Sequence, residues 1–170
     1  LTFRSGDEDI LSGYSDSTWG NDPETRRSVS GYVFLLHGTA VSWKSKLENT
    51  VALSSTEAEY QAIARASQEA AYLRQLLSEL GSPQLRPTVI YEDNEGCIAM
   101  VKNPVSREKA KHIDIKVKYV SQQYQEGVIS PAPCASADML ADGLTKPLPQ
   151  TTIEKHVPRY MGRYSTVTES

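Results

Sequence analysis

Three acids occupy positions where carboxylate chemistry is readily built: Asp16, Glu59 and Asp93. Ile10 to Asp16 reads as a strand with Asp16 at its end, and Thr88 to Glu92 reads as a short apolar strand that Asp93 closes. In open α/β sheets, sites gather at the ends of strands. Glu59 is selected by helical parity. Between Ser54 and Leu80, residues Ala62, Ile63, Ala66, Ala70, Leu73, Leu77 and Leu80 form a stripe at roughly 3.6-residue spacing, with Glu59 on it and Glu57 off it. An acid on a core-facing stripe lowers stability unless a positive group meets it. Each Asp alone has a plain structural reading: Asp16 as a turn cap, Asp93 as an N-cap before Asn94-Glu95-Gly96. Together with Glu59 they would crowd one sheet edge, where two charges about 4 Å apart repel by ~4 kcal/mol at an effective dielectric of 20. Divalent cations relieve that repulsion, and oxygen-only ligands favour Mg²⁺ or Mn²⁺ over zinc.

The elements that must position these acids follow from periodicity and turn residues. Gly31 to Leu36 and Ala40 to Trp43 read as strands joined at His37-Gly38-Thr39, a hairpin. The long helix from Ser54 stops at Gly81-Ser82-Pro83. Asn94 to Val101 and Lys111 to Gln125 read as helices, Val128 to Ser130 as a last strand, and Ala137 to Lys146 as a last helix before Pro147. The order β-β-β-α-β-α-α-β-α is that of an α/β domain. Beyond Gln150 the pattern is weak. A chain of 170 residues, 39% apolar and 23% charged, is long enough for a single core and too apolar for wholesale disorder. No apolar run is longer than a few residues, which predicts no membrane span. The N-terminal residues carry no apolar signal segment, and the chain reads as part of something longer. Cys97 and Cys134 are too few for a disulfide framework, so a reduced intracellular setting is expected.

A net charge of −3 excludes a protein that holds nucleic acid by its overall field. Charge is nevertheless uneven. Lys102, Arg107, Lys109, Lys111, Lys116 and Lys118 make a basic stretch whose plain reading is a solvated helix face. A glycosidase-like acid/base pair would employ two acids and leave the rest unexplained.

Several segments together carry a family resemblance. Gly13-Tyr14-Ser15-Asp16-Ser17, Ser28-Val29-Ser30-Gly31-Tyr32-Val33-Phe34, Val41-Ser42-Trp43 and Ala52-Leu53-Ser54-Ser55-Thr56-Glu57-Ala58-Glu59-Tyr60 come first. Tyr91-Glu92-Asp93-Asn94, Lys111-His112-Ile113-Asp114-Ile115 and Leu140-Ala141-Asp142-Gly143-Leu144-Thr145-Lys146-Pro147-Leu148 follow in order. Between about residues 10 and 149 the chain resembles the ribonuclease H domain of copia-type LTR retrotransposon polyproteins. The resemblance implies a ribonuclease H-like fold, a five-stranded mixed sheet with its first three strands antiparallel, flanked by helices. It divides the chain into a linker (1–9), the ribonuclease H domain (10–149) and a C-terminal extension of unassigned role (150–170). It carries over four catalytic and metal-binding acids, Asp16, Glu59, Asp93 and Asp142. Asp142 is preferred over Asp138 by the motif alone, and Asp138 is read as the N-cap of the last helix.

The implied activity is endonucleolytic hydrolysis of the RNA strand of RNA/DNA hybrids during reverse transcription, with two Mg²⁺ or Mn²⁺ ions. Hybrid would be told from DNA by its 2′-hydroxyls. Ser17, Ser55, Thr56 and Asn94 are candidate substrate contacts, each also an ordinary cap or turn residue. Lys109, Lys111 and His112 become a candidate phosphate-contacting surface. The polymerase domain of the same polyprotein is the implied partner, the isolated domain is expected to be monomeric, and a cytoplasmic virus-like particle is its expected setting. The rival reading is a domain that keeps the fold and acts only by binding. Two departures stand out. Pro131-Ala132-Pro133-Cys134-Ala135-Ser136 lacks the histidine that many relatives carry before the last acid, and position 18 is Thr where copia-type sequences usually have an acid. Tyr32, Trp43 and Tyr60 are expected in the core, Trp19 as a loop anchor or near the substrate edge, and His37 and His156 at turns or the surface.

Overall fold

Residues 11–18 are mostly small, with Tyr14 the one aromatic among them, and neighbouring residues of both parities are buried, so both faces of this strand are covered. A computed structural model of the chain describes residues 10–103 and 111–162, with the side chains of 111–114 outside the description. Strand β1 (Leu11–Thr18) lies at the centre of a five-stranded sheet ordered β3-β2-β1-β4-β5. Strands β2 (Val29–Leu36) and β3 (Thr39–Leu47) continue it antiparallel on one side. Their connection is the pair His37-Gly38, with φ of 51° and 68°. A two-residue loop with both φ positive matches the twist of the flanking strands, and the second position suits glycine. Strands β4 (Thr88–Glu92) and β5 (Ile129–Pro133) add in parallel on the other side.

Parallel β1 and β4 require a crossover, and helix α1 (Ser55–Glu79) lies within it. Ser54 starts α1 by accepting from the Glu57 backbone N–H at 3.1 Å, while the Glu57 carboxylate accepts from the Leu53 N–H at 2.9 Å. Helices α2 (Glu95–Lys102) and α3 (Lys111–Gln125) connect β4 to β5, and α4 (Gln150–Tyr160) is the last described helix. Leu11, Phe34, Tyr60, Ile63, Ile90 and Ile129 form the core on the α1 face of the sheet. Tyr14, Val33, Leu35, Ala40, Met139, Leu140 and Ala141 form a second core on the other. Burying a side chain such as Phe34 or Leu140 contributes about 1.5–3 kcal/mol, so the irregular 139–144 segment is a structural layer in its own right. Gly31 makes room for it: a Cβ there would lie 2.8 Å from Thr145 Cγ2 and 2.9 Å from Leu144 Cβ. Among the described residues no helix is long and apolar enough to cross a membrane.

Five sequence expectations change. Residues 137–146 form two short 3₁₀ turns, Ser136–Asp138 and Leu140–Leu144, in place of one helix. Met139 sits between them with extended backbone, so the periodicity is real but the α-helix is broken. Asp138 accordingly caps nothing and instead pairs with Lys155 at 2.8 Å. Trp43 is 60% exposed because β3 is an edge strand whose outer half is left uncovered among the described residues. His156 is buried, at 1% exposure, because the weakly patterned stretch after Gln150 is a packed helix. The stripe on α1 is buried through Leu73 and partly through Leu77, and Leu80 at its C-cap is exposed.

Candidate functional site

The carboxylates converge at one end of the sheet because three different elements terminate or begin there. Asp16 is near the end of β1, opposite Gly31 of β2, and is buried. Asp93 follows β4 directly and is half-buried. Glu59 lies one turn into α1 and is buried, whereas Glu57 is tied to the N-terminal cap. Asp16, Glu59 and Asp93 each offer an oxygen within 4.8 Å of the others. Asp142, in the second 3₁₀ turn, is buried beside them and forms an ion pair with Lys146 at 2.9 Å. Thr145 ties the turn to the cluster, its hydroxyl donating to Asp16 Oδ2.

Electrostatics follow from this crowding. Burial, then the charges of Asp142 and Asp93, pushes Asp16 up to about 6, against the pull of the Thr145 hydrogen bond. Burial, then the charges of Glu92, Asp16 and Asp93, pushes Glu59 up to about 10. Glu59 Oε2 is also buried with no hydrogen-bond partner among the described residues. Buried carboxylate oxygens that repel one another and lack donors are what a hard divalent cation satisfies, and the donor set contains oxygen alone. The residues therefore fit Mg²⁺ or Mn²⁺.

One member of the cluster escaped the sequence reading. Glu92 is fully buried, accepts from Ser15 Oγ at 3.0 Å and from the Asn94 N–H at 3.2 Å, and is pushed up to about 8, chiefly by burial. A signal existed. Thr88, Ile90 and Glu92 share one parity of β4, and the first two are plainly inward. Thr145 and Lys146 were equally available, three and four residues after Asp142 within the Leu-Thr-Lys-Pro segment.

The remaining candidates scatter around the rim. Ser17 is buried with its hydroxyl unpartnered among the described residues, Ser55 is exposed, and Thr56 is half-buried. Asn94, not Asp93, caps α2, accepting from the Cys97 N–H at 2.9 Å. Asp93 Oδ2 accepts from Ser136 Oγ at 2.9 Å. Lys109 lies outside the described residues, as do the side chains of Lys111 and His112 at the start of α3. Trp19 is 54% exposed, and its indole N–H donates to the Ala52 carbonyl at 2.9 Å, anchoring the loop after β1 to the approach to α1.

No protein-family model matches the chain. Over 91% of its length it is 39% identical to the retrovirus-related Pol polyprotein from transposon RE1 of Arabidopsis thaliana. Over 88% it is 36% identical to the corresponding polyprotein from transposon TNT 1-94 of Nicotiana tabacum. The chain spans only 10% and 11% of these two relatives. Among solved structures, an RNase H1 isolated from compost superposes with a TM-score of 0.60 at 17% identity, covering 88% of this chain and 99% of that one. The foamy viral protease-reverse transcriptase in complex with RNA/DNA hybrid superposes with a TM-score of 0.59 at 18% identity, covering 85% of this chain and 21% of that one.

Proposed function

The chain belongs by sequence with the copia-type retrotransposon Pol polyproteins and by fold with the ribonuclease H domains, and we propose that it is a metal-dependent endonuclease hydrolysing the RNA strand of RNA/DNA hybrids. The observation that carries this reading is the convergence of Asp16, Glu59 and Asp93 within 4.8 Å, with buried Asp142 beside them. A binding module has no use for mutually repelling buried acids, which lower its stability. Solved relatives bind RNA/DNA hybrid, which supports the substrate class.

In this mechanism Asp16, Glu59, Asp93 and Asp142 would hold two divalent cations, which would supply an activated water and neutralise charge on the scissile phosphate and its leaving oxygen. The protein's own contribution is orientation. Thr145 fixes one oxygen of Asp16, Ser136 fixes one oxygen of Asp93, and the stiff start of α1 fixes Glu59. Lys146, paired with Asp142, adds a positive charge at the cluster's margin. Ser17, Ser55, Thr56 and Asn94, with Lys109, Lys111 and His112, are assigned to the hybrid backbone, read through its phosphates and 2′-hydroxyls. The same reading makes the isolated domain a monomer, the polymerase domain of the same polyprotein its partner, and the cytoplasmic virus-like particle of the parent element its setting.

The test is cleavage of a hybrid labelled separately on each strand, with Mg²⁺, Mn²⁺ or EDTA. Metal-dependent cutting of the RNA strand alone is expected. Absence of any metal-dependent product at high enzyme concentration contradicts the reading.

A further inference from the structure

We propose that α4 is a positioning element of the acidic site, its polar side chains holding the 136–144 segment so that Asp142 faces Asp16. The inference rests on Asp142 being a metal-binding acid, as read above. Asp142 differs from the other three acids in its support. Asp16 is carried on β1, Asp93 directly follows the last residue of β4, and Glu59 is carried on a helix of 25 residues. Asp142 is carried on 3₁₀ turns whose own backbone bonds include Met139 N–H to Ser136 O and Asp142 N–H to Met139 O, both at 3.3 Å. Such short runs have poor hydrogen-bond geometry and do not fix a side chain by themselves.

Helix α4 supplies what the turns lack. Lys155 Nζ donates to the Ala137 carbonyl at 2.9 Å and pairs with Asp138 at 2.8 Å. His156 is buried, with Nε2 at 3.4 Å from the same carbonyl. Tyr160 Oη donates to the Leu140 carbonyl at 2.5 Å, and Arg159 Nη1 to the Asp138 carbonyl at 3.4 Å. Three carbonyls of the acid-bearing segment are thus held from one helix face.

Arg159 does more than close the segment. Its Nη2 donates to Tyr14 Oη at 2.6 Å, and its guanidinium carbon lies 5.5 Å from the Tyr14 ring centroid. Tyr14 in turn stacks on Tyr91 with centroids 4.8 Å apart. Tyr14 is two residues before Asp16, and Tyr91 two before Asp93, so each aromatic shares its acid's side of the sheet. One guanidinium therefore links the Asp142 segment to both acid-bearing strands, β1 and β4. A helix that merely capped the second core would need only Tyr160 and the apolar contacts.

Metal binding without substrate tests this through the Mn²⁺-induced rise in melting temperature. In Arg159→Ala the Mn²⁺ concentration giving half of the rise should increase about 10-fold, the lower range for groups that orient ligands without touching metal. Arg159→Lys and Lys155→Ala should show smaller increases, and they carry the test if Arg159→Ala fails to fold. In an Asp142→Asn background, Arg159→Ala should change the midpoint by no more than about twofold, because both act through one ligand. Unchanged midpoints in all three variants overturn the inference, as does an Arg159→Ala effect undiminished beside Asp142→Asn. Wild-type protein that shows no Mn²⁺ response, or Asp142→Asn with a wild-type midpoint, overturns the metal reading itself and the inference with it.

Discussion

Asp93→Asn should make the metal-free protein more stable and the metal-loaded protein less stable than wild type. The change keeps shape, and the carbonyl oxygen of the introduced amide can still accept from Ser136 Oγ, which meets Asp93 at 2.9 Å. What is lost is one charge. Two charges no more than 4.8 Å apart repel by at least about 3.5 kcal/mol at an effective dielectric of 20. Near pH 7.5 Asp16, with a pKa of about 6, is ionised, and Glu59, near 10, is not, so one strong repulsion remains. Asp93 is half-buried, and solvent screening leaves about 1 kcal/mol of it. For a domain of this size that is a rise of roughly 2–4 °C in melting temperature in EDTA. Wild type in Mn²⁺ at about 100 times its Kd gains about 2.7 kcal/mol, and the mutant, missing a ligand, gains far less. The two melting curves should therefore exchange order between EDTA and Mn²⁺. A mutant below wild type in both conditions, or identical to it in both, returns Asp93 to a structural role.

Three further outcomes follow from the same geometry. In EDTA, stability should fall from pH 5 to pH 8: Asp16, Glu92 and Glu59 hold protons in the folded state up to about 6, 8 and 10 but release them near 4 when unfolded, so the contribution is full below pH 4 and is lost as pH rises. Urea melts at the two pH values check this, and saturating Mn²⁺ should flatten the slope. Gly31→Ala should destabilise by about 1–3 kcal/mol and reduce cleavage more than its stability loss predicts, because the new methyl would meet Thr145 Cγ2 at 2.8 Å and displace the Asp142 turn. Arg65→Met should destabilise by about 3–5 kcal/mol in denaturant melts, since buried Glu48 loses its paired guanidinium at 2.5 and 2.7 Å and keeps the Ser30 hydroxyl and the more distant charge of Lys116. Cleavage per folded molecule should then be unchanged.

Legibility followed how local each determinant was. The hairpin around His37-Gly38-Thr39, the helix running from Ser54 and the parity that separates Glu59 from Glu57 are written in adjacent or helically spaced residues, and all three are legible in the sequence. Asp142 was reached only through its motif, since Asp138 lies four residues before it and no period separates them. The 137–146 stretch has helical composition yet is broken at Met139, because its side chains fill the second face of the sheet, a tertiary demand invisible locally. The same demand hid α4: its pattern is weak because polar residues such as Lys155 and Arg159 bind carbonyls and a tyrosine where an apolar stripe would be sought. Trp43 failed for the opposite reason, an aromatic in a strand pattern that proves to lie on an uncovered edge. Glu92 was overlooked beside Asp93, although its parity with Ile90 pointed inward.

If the converging acids make this chain a ribonuclease H, paired neutralisations on one helix separate a catalytic glutamate from a capping one. Glu57→Gln and Glu59→Gln remove the same charge two residues apart, one at the α1 cap and one in the acidic cluster. On a labelled RNA/DNA hybrid with Mg²⁺, Glu57→Gln should cut the RNA strand within a few-fold of wild type, and Glu59→Gln should fall by roughly 10² or more, the scale of losing a required group in the reaction centre. Equal activity of the two variants, or RNA cutting by wild type that persists in EDTA, contradicts the account.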